Sequence, residues 1–173
     1  MDILHSIYGK QLGIGPNGEL IVGGGRVVFN GGSNAFLAAG ATKTLVADDS
    51  GKTVLWDTAA GSIVTLPAAT GSGTKFTLVV SVLATSNSHI VKVANSSDTM
   101  IGGVTVADTD TAGAASSFFA GATGDTITLN RSTTGSVSLG EWIELVDVAA
   151  NKWQVAGMLS GTGTVATPFS ATV

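Results

Sequence analysis

Apolar and polar residues alternate along short segments of this chain, and turn clusters separate the segments at intervals of about ten residues, the texture of a sandwich or barrel. The clearest alternation runs over 75–82. Phe76, Leu78, Val80 and Val82 fall on one side, and Lys75, Thr77, Val79 and Ser81 on the other. Successive side chains of a strand point to opposite faces, so the first set is expected in a core. Thr53-Val54-Leu55-Trp56-Asp57 follows the turn Asp48-Asp49-Ser50-Gly51, and Ile63-Val64-Thr65-Leu66 follows Ala60-Gly61-Ser62. These segments predict consecutive strands joined by tight turns. Further strands are expected at 89–93, 104–106, 125–129, 142–146 and 153–156. The Ala- and Ser-rich interval 108–119 lacks strict alternation and suits a loop or a short helical turn. Nowhere does apolar spacing of three and four persist across the ~10 residues of an ordinary helix. The expected class is all-β: a single β-sandwich or jelly-roll-like barrel domain with an extended glycine-rich N-terminal arm.

Glycine sets the arm apart. Ten of the 24 glycines fall within the first forty residues, including Gly23-Gly24-Gly25 and Gly31-Gly32. That density raises the backbone entropy lost on ordering. Two apolar islands interrupt it, Leu20-Ile21-Val22 and Val27-Val28-Phe29. A purely flexible linker needs neither. Residues 1–39 are therefore expected to form an arm that orders against a partner or neighbouring subunit, and residues 40–173 the β domain. Leu20, Ile21, Val22, Val27, Val28 and Phe29 are the expected attachment residues. The small, polar tail from Gly161 around Phe169 either closes the last strand or docks on a neighbour.

Composition narrows the function. Hydrophobic residues make up 44% and charged residues 12%, against roughly 25% charged in an average soluble domain. Ser, Thr, Asn and Gly must then cover the surface. No stretch approaches the ~18 consecutive apolar residues of a spanning helix, so no membrane partner is expected. The formal net charge is -4 and the eight basic residues are scattered. No basic run tracks a phosphate backbone, and nucleic acid is not an expected partner. Met1 to Ser6 shows no basic and apolar leader pattern, which predicts synthesis in the cytoplasm. With no cysteine, neither disulfides nor thiolate chemistry enter.

The candidate chemistry is thin. Gly13-Ile14-Gly15-Pro16-Asn17-Gly18 matches G-x-G-x-x-G formally, but Pro16-Asn17-Gly18 reads as a turn and glycines stand where the helix should run. There is no G-x-S-x-G elbow. His89, opening a strand, is expected to be an ordinary surface or interface residue. Glu141 and Glu144 flank Trp142, but three residues apart they point to opposite faces of a strand; they are expected as solvated or interface charges beside a buried Trp142. Asp48-Asp49 and Asp108-Thr109-Asp110 could offer oxygen ligands to a cation, yet lack an EF-hand pattern and suit turns. Trp56, Trp142 and Trp153 could form a sugar-stacking platform, though alternation favours the core for each. No catalytic, cofactor or metal residues are assigned, and the chain is expected not to be an enzyme.

The stretch from Thr53 to Gly73, TVLWDTAAGSIVTLPAATGSG, resembles a segment of bacteriophage head-decoration (capsid cement) proteins. The resemblance continues through 76–82, 86–94, 125–130 and the ending ATPFSATV, covering roughly residues 42–173. It implies a β-sandwich or barrel on the outer capsid surface of a virion, commonly a homotrimer, with the major capsid protein as partner. The VTLPAATGSG texture also occurs in tail-fibre and spike proteins, which implies an alternative: a tail- or head-fibre module binding host surface glycans.

Overall fold

The computed structural model describes Leu12–Ile14, Leu20–Val22 and residues 36–173. The chain divides into two units, Met1–Ser33 and Asn34–Val173. In the first, β1 (Leu12–Ile14) pairs antiparallel with β2 (Leu20–Val22), Leu12 opposite Val22. The second unit starts ahead of the residue-40 boundary expected from glycine density, because β3 (Phe36–Ala38) is hydrogen-bonded into its larger sheet.

That unit is an all-β sandwich of two mixed sheets. The remaining strands are β4 (Thr42–Thr44), β5 (Thr53–Trp56), β6 (Ser62–Thr65), β7 (Lys75–Val80), β8 (His89–Lys92), β9 (Thr99–Asp108), β10 (Ala115–Phe119), β11 (Thr126–Leu129), β12 (Trp142–Ala149), β13 (Lys152–Gly161) and β14 (Phe169–Ser170). The seven-stranded sheet has the order β10-β9-β13-β12-β7-β5-β3, and the five-stranded sheet β14-β11-β8-β6-β4. Alternation within each strand fills one core. Trp56, Phe76, Leu78, Ile143, Leu145 and Trp153 come from the larger sheet and Val64, Val91, Ile127 and Leu129 from the smaller. Phe76 and Trp153 meet with ring centroids 5.9 Å apart.

The first half winds as a coil. β3 leads to β4, β5 to β6 and β7 to β8, each pair passing from the larger sheet to the smaller, and successive passes stack in parallel. The strands 53–56 and 62–65 are consecutive, as expected, but lie in different sheets, and the turn between them is a corner linking the two. Stacked corners hydrogen-bond to one another. The Thr85 N–H donates to the Ala59 carbonyl at 2.6 Å, and the Asn87 side-chain amide to the Ala60 carbonyl at 2.9 Å. Gly61 permits the approach: its φ is +96°, and a Cβ there would sit 2.7 Å from the Ser88 carbonyl oxygen.

The second half locks the coil. β13 runs parallel to β9 from Lys152 opposite Thr99 to Gly161 opposite Asp108, while β12 is antiparallel to both β13 and β7. The undecided interval 108–119 contains a strand, β10. Its residues are small or Phe on both faces, so polarity offers no alternation to read. The tail closes the smaller sheet: β14 pairs with β11, and the Thr172 N–H donates to Asp125 at 2.8 Å. Val82, expected in the core with Phe76, is 37% exposed, because β7 ends at Val80 and the chain has already entered a corner.

Candidate functional site

The acidic residues that could have carried chemistry are committed to holding loops. Glu141 is buried, and its carboxylate accepts from the backbone N–H groups of Ser136, Val137 and Ser138, each at 2.7 Å, and from the Ser160 hydroxyl at 2.5 Å. It clasps the loop ahead of β12 and is not the solvated charge expected at this position; Glu144, on the opposite face as expected, pairs with Lys75 at 2.6 Å. Asp147 accepts from the N–H groups of Thr70, Gly71 and Ser72 and from the hydroxyls of Thr70 and Ser72. Burial pushes its carboxyl up, but these bonds outweigh burial and hold it at about 2.

The two acidic turn clusters follow the same pattern. Asp49 bonds Lys52 at 2.7 Å and the Val46 N–H at 3.2 Å; burial opposes ionisation, yet these contacts leave the carboxyl below its ordinary value. Asp110 accepts from the Gly163 N–H and the Thr162 hydroxyl, which lower its pKa in that order. Asp108 caps its own turn by accepting from the Asp110 N–H at 2.8 Å. Among the described residues no three His, Asp or Glu side chains converge as a metal-ligand set.

His89 is fully buried rather than at a surface. It lies at the start of β8 with its side chain directed inward, stacked on Trp56. Burial pushes its pKa below 6.5, against smaller raising contributions from the Val82 carbonyl, Glu141 and Asp57. Its place is the core beneath a corner. Beside that corner, outward-facing Ile63 and Ile90 border an open depression of about 610 Å³, lined by small and amide side chains and no ionisable one.

The feature that stands apart is the outer face of the seven-stranded sheet. Strand register aligns Met158, Trp142, Val79, Leu55 and Ala38 side by side across β13, β12, β7, β5 and β3. All five point away from the core, with Met158 54% and Trp142 38% exposed. The neighbouring row begins at Phe119, 75% exposed, crosses Gly103 and Ala156 to Glu144, Thr77 and Thr53, and ends at Phe36, 59% exposed. A side chain at Gly103 would collide with the Phe118 carbonyl and lie 3.0 Å from the Phe119 ring, so glycine lets that ring lie low over the sheet. Six interstrand gaps of ~4.8 Å make the face roughly 29 Å wide. Its only charges within these two rows belong to Glu144, already paired with Lys75.

Of the three tryptophans, Trp56 and Trp153 are core residues, as alternation suggested, and Trp142 is not. The reason is register: Ile143, Leu145 and Asp147 take the inward positions of β12, which leaves Trp142 outside. The expected attachment residues divide differently. Leu20, Ile21 and Val22 form β2, with side chains outside the described set, and Val27, Val28 and Phe29 lie outside the described residues, as do Pro16, Asn17 and Gly18 of the glycine motif. Among the described residues no helix is long and apolar enough to cross a membrane. No protein-family model matches the sequence, and no curated protein matches it either.

Proposed function

We propose that this chain is a structural virion protein that binds the outer surface of a phage capsid and stabilises it, with the outer face of the seven-stranded sheet as a docking surface. One observation carries the reading: an uncharged row, Met158-Trp142-Val79-Leu55-Ala38, on the outer face of five adjacent strands, exposed at Met158, Trp142 and Ala38 and half-buried at Val79 and Leu55. Contiguous exposed apolar surface of this kind marks interaction sites, and aromatic and Met side chains are the types enriched in interface centres. The resemblance of residues 42–173 to head-decoration proteins supplies the partner, the major capsid protein. The arm islands Leu20-Ile21-Val22 and Val27-Val28-Phe29 add a second attachment, since an extended segment can join an exposed sheet edge through its main chain.

The mechanism is thermodynamic. A ligand that binds the assembled shell but not its separated subunits shifts the equilibrium toward the shell, by about 4 kcal/mol per site at ~1,000 times the dissociation constant. The test is cosedimentation of the full chain with cognate undecorated capsids, followed by heating. Saturable binding with raised heat survival is expected; a capsid that neither binds the chain nor gains stability overturns the reading.

One observation favours a second reading, a fibre module for host glycans: Trp142 lies outside the core and is 38% exposed, and an exposed aromatic is the side chain on which a sugar ring stacks. Trp56 and Trp153 are buried, so a saturable fluorescence change on adding oligosaccharide, abolished by Trp142→Leu, would single out this alternative.

A further inference from the structure

β10 is an edge strand built unlike most. Natural edges are blunted by charge, proline or bulges, because an open row of N–H and C=O groups is a template for another strand. The stretch from Thr111 to Gly124, which contains β10, holds no charged residue and no proline, and β10 pairs regularly with β9 without a bulge. Among the described strands β9 is its only neighbour.

The direction of its free groups follows from its flanks. The Asp108 N–H donates to the Ala114 carbonyl and the Ala120 N–H to the Gly102 carbonyl, both at 2.9 Å. Even-numbered residues of this segment therefore turn their main-chain groups toward β9, and Ala115, Ser117 and Phe119 turn theirs outward. The same three residues are the exposed ones.

We propose that β10 pairs antiparallel with β10 of a second copy of this chain, about a two-fold axis at Ser117. The register is self-consistent. Ser117 meets Ser117 of the partner, and Ala115 meets Phe119 of the partner, so each outward-directed residue finds an outward-directed one and every free N–H and C=O on the two edges is bonded. Side chains match as well: Phe119, whose ring lies back over Gly103 of its own sheet, stands opposite only the small Ala115 of the partner, twice by symmetry. A two-fold contact brings identical residues close together, and an uncharged strand meets no like-charge repulsion there. The two seven-stranded sheets then join edge to edge with their outer faces on one side. The pairing does not rest on the capsid reading, it differs from the homotrimer that the resemblance implies, and its test uses no capsid.

The chain has no cysteine, so single-cysteine variants report cleanly. In a hydrogen-bonded antiparallel pair the Cα atoms lie ~5.5 Å apart, within the ~4.4–6.8 Å that a disulfide spans. Under mild oxidation Ser117→Cys is expected to form a disulfide dimer at least ~10-fold faster than the exposed control Ala68→Cys, because pairing raises the local thiol concentration. Sedimentation of the unmodified chain is expected to pass from monomer to dimer as concentration rises, and Ser117→Pro, which removes an outward N–H and the exposed Thr105–Ser117 hydroxyl contact while sparing the main-chain bonds to β9, to stay monomeric. The proposal is overturned if the unmodified chain is monomeric throughout, if Ser117→Cys cross-links no faster than Ala68→Cys, or if Ser117→Pro associates as the unmodified chain does.

Discussion

His89 lies stacked on Trp56 inside the core, ring centroids 5.6 Å apart and planes inclined by 15°. Its Nε2 is 2.9 Å from the Val82 carbonyl, and since a carbonyl only accepts, that nitrogen carries the proton. Nδ1 is buried without a hydrogen-bond partner. Protonating it would bury an unpaired charge-bearing N–H, which is unfavourable.

A pH dependence follows. The folded pKa lies below 6.5, so as pH falls through 6.5 the unfolded chain takes up the proton first and stability drops. The slope is at most ~1.4 kcal/mol per pH unit and ends once pH passes the folded pKa. Urea titrations between pH 7.5 and 5 should show this loss. His89→Phe, which keeps an aromatic ring on Trp56, should be less stable at pH 7.5 by about 1 kcal/mol for the lost bond to Val82, yet nearly flat over the same interval.

Asp147 acts in a lower window. Its pKa is lowered from 3.8 to about 2, so its contribution is complete above 3.8 and is lost as pH falls toward 2, on the order of 2 kcal/mol. Asp147→Asn cannot satisfy the donors of Thr70, Gly71 and Ser72 equally. We expect it to cost about 2–4 kcal/mol at neutral pH, to remove the acid-side loss, and to speed amide hydrogen exchange at residues 70–72.

The coil predicts different costs for two glycines. Gly61 combines φ +96° with a Cβ position 2.7 Å from the Ser88 carbonyl, whereas Gly73, at φ +75°, has open space around it. Gly73→Ala should cost about 1 kcal/mol for backbone strain alone, and Gly61→Ala about 3 kcal/mol, since the Thr85–Ser88 corner must move. Thermal unfolding of the two variants measures the difference.

Much of the sandwich was legible because alternation and burial coincide: Phe76, Leu78 and Val80 are inward as their period predicts. Sheet membership was not, since 57–61 has the composition of a hairpin turn and only its stacking beneath Ala84–Ser88 makes it a corner. The face was hidden for a related reason. Glu144 shares the parity of Trp142 and so pointed to Ile143 and Leu145 as the inward set, but apolar Val146 in the outer set and Asp147, polar yet inward, blur that signal. His89 looked like a surface residue because its partner Trp56 comes from another turn of the chain, and Glu141 because the amides of 136–138 and the Ser160 hydroxyl converge on it only once the loop ahead of β12 folds back.

The docking claim is tested most directly by comparing capsid binding of Trp142→Lys with that of Thr65→Lys, an equivalent change on the outer side of the five-stranded sheet. Both positions lie outside the core, so both variants should fold. Trp142→Lys is expected to weaken saturable cosedimentation with undecorated capsids by ~30-fold or more, as for a buried aromatic anchor worth at least ~2 kcal/mol, and Thr65→Lys to bind as the unmodified chain does. Undiminished binding by Trp142→Lys, or a greater loss for Thr65→Lys, would contradict the docking claim.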